Sequence, residues 1–184
     1  MNLKGYLKKS WFCILSLRPM KRKVIFISFG GRQYSADPRA ISEKMHELHP
    51  EYELVWIIRP EYRDKICLPE YIRVVDIKNG LMNELSDACS FITTDPLEIG
   101  MNKRNGQFFV QTWHGDRGFK KCLYEAWPEG KRPIDIIDDS ITDIAVAASD
   151  YGVDVYHNAF RYHGEITKAT PHKCQKPHYT VGDK

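Results

Sequence analysis

Hydrophobic and polar positions divide the chain into short apolar runs separated by segments of helical periodicity. Residues 23–29, 54–58, 72–76, 88–94, 107–111 and 144–148 are largely apolar, lack strict alternation and are short enough to be strands. Between the first two, Asp37-Pro38 opens a helix, with aspartate as a suitable cap and proline tolerated at the first helical position. Ile41, Met45 and Leu48 give that helix its apolar stripe, and His49-Pro50 stops it. Further helices are predicted at Leu81–Leu85, at Phe119–Ala126 and from a Ser149 cap towards Phe160, with a polar link rich in proline and glycine at Trp127–Pro133. Continuous apolar strands alternating with helices predict an α/β fold, a Rossmann-like parallel sheet covered by helices on both faces. From about Thr167 the apolar periodicity stops, and residues 167–184 read as an irregular tail.

Residues 1–22 form a distinct arm ahead of the first strand. Leu3, Tyr6, Leu7, Trp11, Ile14, Leu15 and Leu17 fall on about half of a helical wheel, with Lys8 and Lys9 outside it and Phe12 pointing elsewhere. The stretch is too short and too charged to span a bilayer, and no small-residue cleavage site follows it. Two readings stand for this amphipathic helix: contact with an anionic membrane surface, or packing on its own domain.

Charge sharpens the division. The 184 residues carry a net charge of +3, with hydrophobic content of 42% and charged content of 28%, as expected of a globular chain. Seven basic residues and no acid lie within residues 1–23, which leaves 20 basic against 24 acidic residues in the body. The basic character therefore belongs to the arm, which argues against nucleic acid as a partner. Five scattered cysteines form no C-x-x-C pair and no disulfide framework, as in a reducing compartment. His172, Cys174 and His178 lack a fourth ligand, and Asp135, Asp138 and Asp139 fit an acidic helix start or loop, so no metal cofactor is expected.

The most informative chemistry is Gln111-Thr112-Trp113-His114-Gly115, at the end of the fifth strand. Ligands of open α/β sheets gather at the C-terminal ends of strands, and an imidazole there can exchange a proton near neutral pH. Gly115 allows close approach to the backbone. A second strand-end loop, Gly30-Gly31-Arg32-Gln33-Tyr34-Ser35, offers backbone N–H groups and Arg32 as a phosphate site; an ordinary β–α turn accounts for it nearly as well. His46, His49, His157 and His163 read as surface residues.

Three stretches, taken in order, resemble the CDP-glycerol glycerophosphotransferase family, the teichoic-acid primases and polymerases of Gram-positive bacteria. They are Phe26–Pro38; Gln111–Gly115 with Lys120-Lys121; and Ala148–Tyr151 with Ala159–Ile166. The resemblance covers roughly residues 20–166 and implies that 23–166 is the N-terminal Rossmann-like domain of a GT-B transferase. The family's donor-binding C-terminal half would follow Ile166, where this chain instead reads Thr167-Lys168-Ala169-Thr170-Pro171, so a truncated chain is expected.

The reaction that the resemblance implies moves glycerol phosphate from CDP-glycerol to a lipid-linked glycerol-phosphate acceptor and releases CMP. His114 would be the general base, with Asp116 orienting or stabilising its ring, although the family more often has Thr or Ser at that position. Gly30, Gly31, Arg32, Tyr34, Ser35, Trp113, Gly115 and Lys120 would bind substrate. The expected location is peripheral, on the cytoplasmic face of the cell membrane. Two alternatives remain: a GT-B nucleotide-sugar glycosyltransferase domain, and a non-catalytic membrane-surface domain that binds polyol phosphate.

Overall fold

The computed structural model describes residues 10–95, 103–115, 121–126 and 141–169. Seven parallel strands form one sheet: β1 (Lys21–Ile27), β2 (Glu53–Ile58), β3 (Ile72–Asp76), β4 (Ala88–Thr93), β5 (Phe108–Gln111), β6 (Ile144–Ala147) and β7 (Glu165–Lys168). Their spatial order is β3-β2-β1-β4-β5-β6-β7. The chain winds outward from β1 to β3, returns to the other side of β1 at β4, and continues to β7. The reversal lies between β1 and β4, where open parallel sheets leave a crevice at their C-terminal ends.

Burial on both sides explains the unbroken apolar runs. Ile25 and Ile27 of β1 pack with Val55, Ile57, Phe91 and Phe109 on one face. Val24 and Phe26 pack with Leu54, Trp56, Ile58 and Ile92 on the other. The first face is covered by α4 (Leu81–Asp87) and by α1, whose described residues are 10–15. The second is covered by α2 (Ala36–Leu48), through Ile41 and Met45. A third cluster joins β6 to α5 (Leu123–Ala126) and to α6 (Asp150–Val155), which runs into a π-helical turn at Tyr156–Phe160. Ser149 caps α6 as expected, its Oγ accepting the Gly152 N–H at 3.1 Å.

Several expectations are corrected. Phe12 is not off the packing face: Phe12 and Leu15 are both 3% exposed and Phe12 lies in the first core, whereas Trp11, Ile14 and Leu17 are 54%, 58% and 85% exposed. The described part of the arm therefore packs on its own domain and turns a second apolar face outward. Lys21 and Arg22 belong to β1 rather than to the arm. Thr167 and Lys168 are not tail: β7 pairs them with Val146 and Ala147, and Lys168 forms an ion pair with Asp150 at 2.8 Å. This edge strand is mostly exposed, so it carries no apolar signal. A single helical turn, α3 (Pro60–Arg63), was also unforeseen. Finally, α2 starts at Ala36 with Ser35 at its cap, so Asp37 lies in the first helical turn instead of capping it.

A buried ion network closes the opposite end of the sheet. Lys23 is 3% exposed and its ammonium meets both Glu84, at 2.7 Å, and Asp87. Lys21 also reaches Asp87 at 2.8 Å, and Arg73 pairs with Glu84 at 2.7 Å. Burial pushes the Glu84 and Asp87 carboxyls up, yet hydrogen bonds and charge from Arg73, Lys21 and Lys23 hold both below the usual carboxylate range.

Candidate functional site

The C-terminal ends of β1, β4 and β5 converge on one group of turns. After β1 the chain makes a tight turn, Phe29–Gly31, with Phe29, Gly30 and Gly31 at φ of 47°, 61° and 79°. Left-handed backbone costs a non-glycine residue roughly 1–2 kcal/mol, so Phe29 must be held there by its surroundings. The holding groups are visible. The Phe29 N–H donates to Thr94 Oγ1 at 2.8 Å, and the Gly30 N–H to Asp95 Oδ2 at 2.6 Å. Thr94 Oγ1 donates to the same Asp95 oxygen at 2.8 Å. Just beyond β2, Arg59 Nε donates to the Gly30 carbonyl at 2.7 Å, and the Arg59 N–H to the Gly31 carbonyl at 2.8 Å.

These bonds alter the role expected of the glycine loop. The Gly30 N–H is taken by Asp95, and those of Gly31 and Arg32 by the Ser28 carbonyl at 3.0 and 3.3 Å. The expected backbone cradle for a phosphate is therefore closed by the chain's own acceptors. Arg32 has an exposed side chain and is the remaining cation of this loop. Gly31 has a packing reason: a Cβ there would lie 3.1 Å from the Ile57 carbonyl oxygen and 3.3 Å from the Arg59 nitrogen.

Tyr34 and Ser35 are committed locally. The Tyr34 ring packs edge-on against Trp56, with centroids 4.6 Å apart, and its hydroxyl donates to Glu43 at 3.3 Å. Burial pushes the Tyr34 hydroxyl's pKa well above its ordinary value, so it stays protonated. Ser35 Oγ donates to Gln33 at 2.9 Å.

The turn after β5 carries the histidine. Gln111 is 1% exposed, and its carboxamide braces the turn by accepting the Trp113 N–H at 2.9 Å and donating to the Asp95 carbonyl at 3.3 Å. Thr112 Oγ1 lies 3.2 Å from the Thr93 carbonyl, and the Tyr156 hydroxyl lies 3.1 Å from those of Gln111 and Val146. On this braced base, Trp113 sits at φ 51° and Gly115 at φ 104°. His114 is exposed, with its ring stacked on Trp113 at 3.9 Å and on Phe29 at 5.7 Å between centroids. Trp113 is seated edge-on against Phe160 at 4.9 Å. Gly115 faces open space, as close approach to the backbone requires.

Of the expected site residues, the structure brings His114, Trp113 and Gly115 beside the Phe29–Gly31 turn. It turns Tyr34 into the packing of the second face. Asp116 and Lys120 lie outside the described residues. Arg59, Thr94, Asp95, Gln111 and Tyr156 hold the two turns and were not anticipated as a set. The available signal was the polar run Thr93-Thr94-Asp95 closing an apolar strand. Among the described residues, no cluster of three His, Cys, Asp or Glu side chains could hold a metal ion.

Comparison with known proteins gives this geometry a family. The CDP-Glycerol:Poly(glycerophosphate) glycerophosphotransferase family model matches residues 11–170. The teichoic acid poly(glycerol phosphate) polymerase of Bacillus subtilis strain 168 is 32% identical over 166 residues, covering 84% of this chain and 22% of that protein. The Bacillus spizizenii protein of the same description is 32% identical, covering 82% of this chain and 41% of that one. The fold is shared with the wall teichoic acid polymerase TagF, at a TM-score of 0.72 and 20% identity over 93% of this chain and 48% of that one. A TagF variant with a histidine replaced by asparagine and soaked with CDPG superposes equally well, at a TM-score of 0.72. The chain thus spans less than half the length of these relatives, and its sheet is the Rossmann-like unit of a GT-B fold. On the match over residues 11–170, the chain belongs to the CDP-glycerol:poly(glycerophosphate) glycerophosphotransferase family.

Proposed function

We propose that the turns after β1 and β5 form the acceptor side of a glycerophosphotransferase site in teichoic-acid biosynthesis. Its reaction transfers glycerol phosphate from CDP-glycerol to the hydroxyl end of a lipid-linked glycerol-phosphate acceptor, with release of CMP. The observation that carries this reading is the presentation of His114, an exposed imidazole on a strained turn, stacked on Trp113 and Phe29 beside the reversal point of the sheet.

The chemistry needs such a group. An alcohol is a poor nucleophile because its proton is lost only at very high pH. A neutral His114 takes that proton while the alcohol oxygen bonds to the glycerol-bearing phosphorus, and the bond from that phosphorus to the CMP oxygen breaks. General-base assistance of this kind contributes about 10²–10⁴-fold in rate. Stacking restricts the ring to one orientation. Asp116 and Lys120 retain their proposed parts, orienting the imidazole and attracting the anionic substrate. Arg32 serves the acceptor phosphate through its side chain alone, the backbone N–H groups being occupied.

The outward face of α1 supports placement at a membrane surface. Trp11, Ile14 and Leu17 are exposed, and the exposed Arg18, Lys21 and Arg22 follow them in the chain, an apolar and basic combination suited to an anionic leaflet. Among the described residues no helix is long and apolar enough to cross a membrane. The proposed location is accordingly peripheral, on the cytoplasmic face of a Gram-positive cell membrane.

The chain, CDP-glycerol and a glycerol-phosphate primer on a lipid anchor provide the test, with CMP release and primer binding followed together. Release supports the transferase reading. Primer binding without release makes the chain a polyol-phosphate-binding domain, and neither result leaves the site without this function. Sedimentation with anionic vesicles tests the surface: a chain that stays in the supernatant at low salt overturns membrane docking.

A further inference from the structure

A small cavity lies beside the histidine turn. Asp37 from α2, Thr112, Trp113 and Gly115 from the β5 turn, and Val155 and Tyr156 from the far side line a space of about 30 Å³. Two of its polar side chains are already engaged, the Thr112 hydroxyl near the Thr93 carbonyl and the Tyr156 hydroxyl near the Gln111 and Val146 carbonyls. Asp37 differs. No hydrogen bond or ion pair reaches its carboxylate among the described residues, and burial alone pushes its carboxyl above the usual range. The first turn of a helix favours a negative charge, so here burial outweighs the help of the helix.

The size and charge of the cavity restrict what it can accept. Its volume suits one or two heavy atoms, about the room needed by a water or an alcohol group. A phosphate group, itself anionic, is disfavoured there by repulsion from the carboxylate. A carboxylate without a partner is an acceptor only, so it calls for an O–H or N–H donor. Trp113 supplies an apolar wall suited to the carbon that bears such a group. His114, which is exposed, stands in the chain between Trp113 and Gly115, both of which line the cavity.

We propose that Asp37 is the specificity-determining residue of this site. Its carboxylate accepts a hydrogen bond from one hydroxyl of the terminal polyol of the acceptor, seated between Trp113 and Gly115. The inference rests on the acceptor-side reading above and adds what that reading lacks, a group that distinguishes a polyol end from any other alkyl phosphate. A terminal glycerol carries two hydroxyls, so one held by Asp37 leaves the other for His114. A site built to hydrogen-bond a hydroxyl disfavours the analogue without it, because the half-buried carboxylate then loses that donor.

The test compares sn-glycerol 3-phosphate with propyl phosphate, which has the same charge and chain length but no hydroxyl. Binding of each to this chain is measured by NMR titration, with circular dichroism confirming that every variant is folded. The unmodified chain is expected to prefer glycerol phosphate by about tenfold. Asp37→Ala is expected to abolish that preference by weakening glycerol phosphate alone, and Asp37→Asn, whose amide oxygen still accepts a hydrogen bond, to keep part of it. If Asp37→Ala keeps the full preference, or the unmodified chain binds both probes equally, the inference fails while the acceptor-side reading stands. If the unmodified chain binds neither probe, both fail together.

Discussion

Asp95→Ala removes the tether that joins the turn after β1 to the end of β4. The side chain accepts hydrogen bonds from the Gly30 N–H at 2.6 Å and from Thr94 Oγ1 at 2.8 Å. Hydrogen bonds to a charged group contribute about 1.5–3 kcal/mol each, so the gross loss is about 3–6 kcal/mol. Part is recovered as the turn relaxes, because Phe29 at φ 47° stores roughly 1–2 kcal/mol and the freed Gly30 N–H can reach water. The expected net destabilisation is about 2–3 kcal/mol, a fall in Tm of roughly 4–12 °C for a chain of this size. Asp95→Asn should cost about half as much, since the amide oxygen can still accept the Gly30 N–H. Thermal unfolding by circular dichroism gives the magnitude. A second readout follows the His114 ring by NMR: Phe29 stacks on it at 5.7 Å, so a loosened turn removes the ring-current contribution and shifts the imidazole signals. A Tm within about 1 °C of the unmodified chain, with His114 signals in place, would refute the tether and the account of how the histidine is presented.

Other predictions follow from single contacts. Gly31→Ala should cost about 2 kcal/mol or more, because its Cβ meets backbone atoms of Ile57 and Arg59 at φ 79°; Gly115→Ala should cost about 1 kcal/mol, from backbone strain alone in open space. Urea unfolding of the two variants decides whether the difference is real. Lys23→Met should cost about 3–5 kcal/mol by leaving Glu84 and Asp87 short of a buried partner. The folded pKa values of Glu84 and Asp87 are lowered, so their contribution is fully present above the unfolded carboxylate range near pH 4 and is lost as pH falls through the folded values. Acid titration of stability should show that loss in the unmodified chain and a smaller one in Lys23→Met. The Asp37 carboxyl is raised, so the sign reverses: its ionised form opposes folding at neutral pH, and the penalty shrinks as pH falls below its folded pKa and is gone below the unfolded carboxylate range near pH 4. Asp37→Asn should therefore raise Tm slightly at pH 7 and not in acid, as expected where binding is maintained at a cost in stability.

The sheet was legible because its strands bury both faces. Val24–Ile27 and Leu54–Ile58 have no solvent side, so their sequences are apolar without interruption and no helix of that length competes with the reading. β7 escaped for the opposite reason: as an exposed edge strand it needs backbone partners more than apolar side chains. Phe12 was misplaced because the lysines of the arm suggested which face was polar, whereas the position of α1 over Phe91 and Phe109 decides which face is buried. Trp113-His114-Gly115 stood out at a strand end, and the structure adds the stacking and the left-handed backbone that display the ring. The groups that hold it were not legible as a set. Arg59, Asp95 and Gln111 lie on three different strand ends and meet only once β2, β1, β4 and β5 lie side by side. Asp-Pro predicts Asp37 as a helix cap, but a helix starting one residue earlier places it in the first turn, where it lines the cavity.

In the proposed mechanism His114 takes the proton from the attacking hydroxyl. The most direct measurement is the rate of CMP release from CDP-glycerol onto a glycerol-phosphate primer, for the unmodified chain and for His114→Ala, with primer affinity measured in parallel. The rate is expected to fall by about 10²–10⁴-fold with primer affinity changed less than about twofold. A His114→Ala chain that releases CMP at the unmodified rate would contradict that mechanism.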